Sequence, residues 1–295
     1  MADSPVAERS LDESGVRGLL RDAAPELADL PLRLVAEGWD NAIWRLGDEL
    51  AVRLPRRALS APLIAHEQRA LPDLGRGLAR VGLRAPVPLI AGQPTDGFPW
   101  PWSIVPWIEG TPVLGVSRAE NGRWAATLAA GLLELHHAAP DDAPPNPFRG
   151  GALAARDAAM TERLSHTAAG TALRKAWEAG LRTPPSRERV WLHGDLHPGN
   201  MLVRDGGLAA LIDFGDVTAG DPAYDLAVMW LVFDEAGRLG FRAATGGRYD
   251  EDTWIRARAW AAYLALVFLT RSDDRPDYLE LGVRTETELS ASAEH

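Results

Sequence analysis

The stretch Arg189 to Val217, RVWLHGDLHPGNMLVRDGGLAALIDFGDV, decides how the rest of this 295-residue chain is read. Val190, Trp191 and Leu192 are a short apolar run of strand type, and Pro198-Gly199 marks a sharp turn. Met201-Leu202-Val203 reads as a second strand, Asp205-Gly206-Gly207 as a hairpin turn, and Leu208 to Ile212 as a third strand ending at Asp213. Asp195, Asn200 and Asp213 therefore fall at strand ends and turns. Such positions hold a side chain rigidly while leaving it open to a ligand. Taken singly, each is also an ordinary turn former, and His193 and His197 are ordinary loop residues.

Taken together, these residues support two chemistries. One needs a carboxylate beside an acceptor hydroxyl and oxygen ligands for Mg²⁺, as phosphoryl transfer does; Asp195, Asn200 and Asp213 supply them. The other is a metallohydrolase in which His193, Asp195, His197 and Asp213 bind a transition metal. It uses the histidines but leaves Asn200 and the hairpin without a part.

HGDLHPGN followed by IDFGD resembles the catalytic and metal-binding loops of the aminoglycoside phosphotransferase family, the small-molecule branch of the protein-kinase-like fold. The resemblance implies a two-lobed α+β fold, with an antiparallel-sheet N-lobe and a mostly helical C-lobe. Residues 1–105 would form the nucleotide-binding lobe, 106–110 the hinge, and 111–295 the lobe carrying both loops and the substrate pocket. It also implies that Asp195 orients or deprotonates the acceptor hydroxyl. Asn200 and Asp213 then hold Mg²⁺ against the phosphates of ATP, with GTP as the alternative nucleotide. Gly194 stands where protein kinases carry the arginine of their HRD motif, which points to the small-molecule branch. Asp225 resembles a family residue that braces the catalytic loop, a role compatible with capping the helix expected over 224–233.

The same resemblance places Arg53, in AVRLPRR, where the family has a strand lysine that contacts the α and β phosphates and pairs with a helix glutamate. Glu67, on the helical stretch 62–71, is the expected partner. Arginine keeps the charge and grips phosphate or carboxylate bidentately, but it is bulkier than lysine; a solvated surface pair is the plain alternative. The hinge is expected at Val105 to Gly110, with adenine held by the Pro106 carbonyl and the Ile108 amide. Proline is tolerable there because only its carbonyl is needed. The neighbouring tryptophans are expected to pack rather than stack on the base.

Composition bounds the alternatives. The chain is long enough for two lobes, and 46% hydrophobic content suits a globular protein. It has no cysteine, so neither disulfides nor thiolate metal sites arise. Net charge is -10, with one lysine, Lys175, against thirty arginines, which argues against a general nucleic-acid binder. Arg174 and Ala176 flank that lysine, so there is no P-loop. The polar N-terminus is unlike a secretory signal, and the apolar run 259–270 is too short for a bilayer. A cytoplasmic protein with no nucleic-acid, membrane or protein partner is the expectation. The balance is -3 up to Gly110 and -7 beyond it, which suits a cationic substrate, although a solvated acidic face explains it as well.

Along the chain, 11–29 reads as a short amphipathic helix, and 32–37, 42–46 and 50–54 as a meander whose first turn lies over the nucleotide phosphates in the kinase reading. The runs 89–92 and 102–107 are two further strands. Ser117 to Ala139 has the pattern of one long helix stopped by Pro140, with His136 and His137 serving its dipole or reaching solvent. Residues 140–150 are a proline-rich loop whose Asp141 and Asp142 are exposed acids or cleft-lining ones, and 151–180 are one or two helices. Residues 218–222 are turn chemistry. The segment from Asp213 to Asp225 is too short for a peptide-docking activation segment, so the acceptor is read as a small molecule. Residues 251–270 and 276–290 are closing helices, with Asp273, Asp274, Asp277 and Glu280 candidates to face it. The acceptor is expected to be a small hydroxylated compound such as an aminoglycoside, with choline, homoserine or a sugar as endogenous alternatives; a weakly active nucleotide-binding scaffold is the further alternative that Arg53 raises.

Overall fold

The computed structural model describes residues 6–167, 170–272 and 275–291. Asp12 opens the first helix by accepting a hydrogen bond from the Gly15 amide, and α1 (Glu13–Ala23) turns Val16, Leu19 and Leu20 inward. β1 (Leu32–Glu37), β2 (Asn41–Leu46) and β3 (Leu50–Pro55) form the expected meander. Beyond α2 (Ala61–Arg80), β4 (Ile90–Gly92) and β5 (Trp102–Pro106) complete an antiparallel sheet in the order β1-β2-β3-β5-β4. The buried side chains of α1 and the sheet make one apolar cluster, with Leu46, Val52, Trp102 and Ile104 inside it.

A second, larger cluster gathers the rest of the chain. The short strand β6 (Thr111–Pro112) leads into α3 (Arg118–Asn121) and α4 (Ala125–Leu135), then α5 (Asp157–Ser165) and α6 (Thr171–Arg182). β7 (Val190–Leu192), β8 (Met201–Arg204), β9 (Gly207–Leu211) and β10 (Thr218–Gly220) form two small antiparallel sheets, β6-β8-β9 and β10-β7. The chain closes with α7 (Ala223–Leu226), α8 (Val228–Val232), α9 (Glu235–Ala244), α10 (Glu251–Arg271) and α11 (Pro276–Ala291). The architecture is the expected mixed one, an antiparallel sheet followed by helices. Ala70 to Ala85 pack with the second cluster, so α2 and the turn after it link the two cores. Among the described residues no helix is long and apolar enough to cross a membrane.

Several elements differ from the sequence reading. α2 runs through Pro72 to Arg80, because Leu71, Leu74 and Leu78 continue its buried face and that burial outweighs one lost backbone bond. The stretch 117–139 is not one helix. It breaks at Gly122 into a tighter turn, where the buried Asn121 amide donates to the Val232 carbonyl and Trp124 packs on Phe233. It ends at Leu135, where His136 turns inward. Thr218 to Gly220 is a strand rather than a turn, paired with Leu192 to Val190, and 224–233 is two short helices. Helix α9 carries no signal that the sequence reading used; Asp234 caps it by accepting from the Gly237 amide.

Gly220, at the end of β10, touches the proline-rich loop. A β-carbon there would stand 2.3 Å from the Gly150 carbonyl oxygen, an approach that backbone cannot give way to. We expect Gly220→Ala to destabilise the protein by about 1–3 kcal/mol through overpacking, read from urea unfolding at constant m.

Candidate active site

β7 ends at Leu192 and delivers His193, Gly194 and Asp195 into a loop held from below by one carboxylate. Asp225 Oδ2 accepts from the His193 amide at 2.7 Å, and Oδ1 from the Gly194 amide at 3.1 Å. Asp225 lies within α7 and does not cap it. Gly194 has φ 83°, and a β-carbon on it would sit 2.1 Å from the Asp216 carbonyl oxygen, so no side chain fits there. His136, which caps the C-terminus of α4, does not reach solvent. It is buried, with Nδ1 at 2.7 Å from the Tyr249 hydroxyl and Nε2 at 3.3 Å from Asp225 Oδ2, and so supports the brace.

The hairpin β8–β9 then sets the other two residues. Asp205 (φ 52°) and Gly206 (φ 77°) make its two-residue turn, and the register pairs Met201 with Leu211. The Ile212 amide donates to the Asn200 carbonyl at 2.9 Å, which brings Asp213 alongside. Asn200 Nδ2 donates to the Asp195 carbonyl at 2.9 Å. Its Oδ1 is thereby the atom left for a cation, and the Asp213 carboxylate is about half exposed (53%). This all-oxygen pair fits the hard-cation chemistry of Mg²⁺. The alternative transition-metal set does not form. His193 Nε2 donates to the Ile212 carbonyl at 3.0 Å while Nδ1 accepts from the Asp195 amide at 3.3 Å, leaving no nitrogen for a metal. Among the described residues no group of three or more His, Cys, Asp or Glu is placed to hold one.

Arg53 joins the sheet to this hairpin. Its Nη1 donates to both oxygens of Glu67 at 2.7 Å, and its Nη2 to Asp213 Oδ1 at 3.1 Å. Arg53 and Glu67 are both buried, so this is not a solvated surface pair. Burial pushes the Glu67 carboxyl up to about 6 despite the Arg53 charge. In the stretch expected to be the hinge, Pro106 pairs with Leu50 at the end of β5. The Ile108 side chain packs with Leu202, Ala210 and Ile212 in an apolar cluster separate from both cores. Trp107 packs under Arg45, whose guanidinium lies 4.2 Å from the ring centroid.

The sequence reading missed Arg149, the main partner of Asp195, and set His197 beside Asp195 only in the metallohydrolase alternative. Arg149, in the proline-rich loop, places Nη2 2.9 Å from Asp195 Oδ1 and 3.1 Å from Asp216 Oδ2, and Nη1 3.0 Å from the Tyr224 hydroxyl. Burial opposes the charge on Asp195, yet Arg149, with help from His197, holds its carboxyl well below the usual carboxylate range. His197 Nε2 stands 3.5 Å from Asp195 Oδ2, and its ring meets Tyr278 and Phe268 edge-on. Only the second aspartate of IDFGD gave a signal in sequence; Arg149 is remote and carries none. Of the acids expected at an acceptor pocket, Asp277 pairs with Arg275 at 2.9 Å and Glu280 with Arg284. Both line a pocket that reaches Pro198, together with Val113, Leu114 and Leu231. Asp142 pairs with Arg69. Asp273 and Asp274 lie outside the described residues.

Residues 31–262 match the model of the phosphotransferase enzyme family. The chain is similar to the solved GDP and kanamycin complex of APH(2")-IIIa, with 21% identity, TM-score 0.68, and 94% of this chain covering 98% of that one. It is also similar to the apoenzyme of macrolide 2'-phosphotransferase MphH from Brachybacterium faecium, with 22% identity, TM-score 0.64, and 93% covering 97%. The streptomycin–ATP–APH(2")-IIa ternary complex is a third, with 19% identity, TM-score 0.59, and 93% covering 95%. A comparison with curated proteins finds no match.

Because Glu67 binds its proton more tightly in the fold than its ordinary value of 4.5, its contribution to stability is complete below about 4.5 and is lost as pH rises through about 6. We expect wild type to lose up to about 2 kcal/mol relative to Glu67→Gln across that window, measured by urea unfolding at each pH. A flat difference would refute the assignment.

Proposed function

The chain belongs to the phosphotransferase enzyme family, and from that premise we propose that it moves the γ-phosphoryl group of a nucleoside triphosphate to a hydroxyl of a small molecule. The observation that carries this reading is the junction Glu67–Arg53–Asp213, with Asn200 and Asp195 beside it. It sets a fixed cation and two oxygen ligands next to a carboxylate held ionised. Residues 1–105 then act as the nucleotide-binding lobe, 106–110 as the hinge and 111–295 as the lobe that supplies the chemistry.

The roles follow from charge and position. A purine would lie against the apolar cluster around Ile108, with the Pro106 carbonyl and Ile108 amide as its hydrogen-bonding edge. Arg53 faces the α and β phosphates, kept in place by Glu67. Asn200 Oδ1 and the Asp213 carboxylate hold Mg²⁺, which when bound offsets charge on the phosphate oxygens. Asp195 accepts the hydrogen bond of the acceptor hydroxyl and aligns its oxygen with the γ-phosphorus. The new O–P bond forms as the bond to the β–γ bridging oxygen breaks, the diphosphate leaves, and the hydroxyl proton passes toward Asp195. ATP is the proposed donor and GTP the alternative: the similar structures include a GDP complex and an ATP complex. A cytoplasmic location goes with a nucleoside triphosphate substrate. For the acceptor, those structures also carry kanamycin and streptomycin, and we take an aminoglycoside as the first candidate, with choline, homoserine or a sugar as endogenous alternatives.

We expect Asp195→Ala to keep nucleotide affinity within a few-fold while turnover falls about 10²- to 10⁴-fold. Asp213→Ala should lose the Mg²⁺-dependent part of nucleotide binding, and EDTA should bring wild type to the same level. Calorimetry with and without Mg²⁺ reads both, and equal affinity in every combination would refute the metal assignment. Turnover of Mg-ATP and Mg-GTP against a panel of aminoglycosides, choline, homoserine and sugars identifies the acceptor.

A further inference from the structure

Asp195 has few partners of its own. Apart from Arg149, among the described residues its carboxylate meets only Asn200 Nδ2 at 3.4 Å and His197 Nε2 at 3.5 Å, both on Oδ2. Oδ1 is held by Arg149 alone among the described residues, at 2.9 Å. Without that contact only the two longer Oδ2 contacts would restrain rotation of the carboxylate among the described residues, and reaction geometry is sensitive to displacements of about 1 Å.

The loop that carries Arg149 is fastened without it. The Thr218 hydroxyl donates to the Pro144 carbonyl at 2.7 Å, the Asp221 amide to the Gly150 carbonyl at 3.0 Å, and Asn146 Nδ2 to Asp216 Oδ1 at 2.6 Å. Gly150, at φ 66°, packs directly on Gly220. These bonds pin the backbone on both sides of Arg149. Asp216 Oδ2 and the Tyr224 hydroxyl then fix the direction of its guanidinium. A planar fork held on two sides is a rigid donor for a third partner, and the third partner here is Asp195. The same cation separates the carboxylates of Asp195 and Asp216, which would otherwise face one another uncompensated.

Resting on the phosphotransferase reading, we infer that Arg149 is a positioning residue of the reaction: it grips Asp195 Oδ1 and thereby presents Oδ2 to the acceptor hydroxyl. Asp216 is its anchor. Arg149 touches neither Asn200 nor Asp213 at hydrogen-bond distance in any contact described above, so it acts on transfer and not on nucleotide binding.

The test uses the full chain and water as the acceptor, so no identified substrate is needed. Water attacks the γ-phosphorus, the bond to the β–γ bridging oxygen breaks, and nucleoside diphosphate and inorganic phosphate are released. With Mg-ATP and Mg-GTP we expect Arg149→Met to lower kcat about 100-fold while the nucleotide Kd from calorimetry changes by less than threefold. Arg149→Lys should recover at least a tenth of wild-type kcat. Asp216→Asn should lower kcat about 10-fold, and the double variant Arg149→Met/Asp216→Asn should fall no further than Arg149→Met alone, since both act through one contact. Should Arg149→Met fail to fold, the lysine and Asp216→Asn variants still decide, by the same split between kcat and Kd. Wild-type kcat in Arg149→Met with only a lowered Tm would overturn the inference, as would equal losses in kcat and affinity. A wild-type chain that binds neither Mg-nucleotide would instead overturn the phosphotransferase reading itself.

Discussion

One buried guanidinium holds the two halves of the site in register. Arg53 leaves β3, spans both oxygens of Glu67 on α2, and reaches Asp213 at the end of the β8–β9 hairpin. Three elements from three parts of the chain therefore share one charge. Burying such a pair has a desolvation cost that a well-packed apolar pair would avoid, so stability is a poor account of its presence. Its geometry gives a better one. Glu67 neutralises Arg53 within the fold and aims it, while Asp213 keeps an exposed carboxylate whose charge is only partly met. A lysine at this position would bring a single point of charge; the arginine fork meets both acids at once.

A second set of contacts does for Asp195 what Arg53 does for Asp213. The loop of His193 to Asp195 hangs from Asp225, which takes two backbone amides, and His136 and Tyr249 close the far side of that carboxylate. Above the loop, Arg149 draws Asp195 and Asp216 together. The site is thus a chain of alternating charges, Glu67, Arg53 and Asp213 on one side and Asp216, Arg149 and Asp195 on the other, with Asn200 between Asp195 and the hairpin. Its abundance of arginine over lysine suits this use, since each fork serves two or three acceptors.

Much of this was legible in the sequence because it is local. A strand, a Pro-Gly turn and a hairpin follow from apolar runs and turn residues, and they place Asp195, Asn200 and Asp213 at the ends of short elements whatever surrounds them. The meander over 32–54 was legible for the same reason. The elements read less well were those whose ends are set by distant partners. The 117–139 segment had helical periodicity throughout, yet it breaks where Asn121 and Trp124 meet Val232 and Phe233. Thr218 to Gly220 looked like a turn, and it became a strand because Val190 to Leu192 offered an open edge.

By itself, the sequence determined the family pattern, the mixed architecture with an antiparallel sheet first, and the identities of the residues in the two loops, because each depends on contacts a few positions apart. Tertiary structure alone decided that Arg53 and Glu67 are buried together, that His136 faces Asp225, and that Arg149 stands beside Asp195. Those contacts join residues whose spacing along the chain carries no period and no turn signal. Only the packing of α2, the proline-rich loop and the hairpin around one another brings such charges within bonding distance, where low solvent exposure makes each pairing matter.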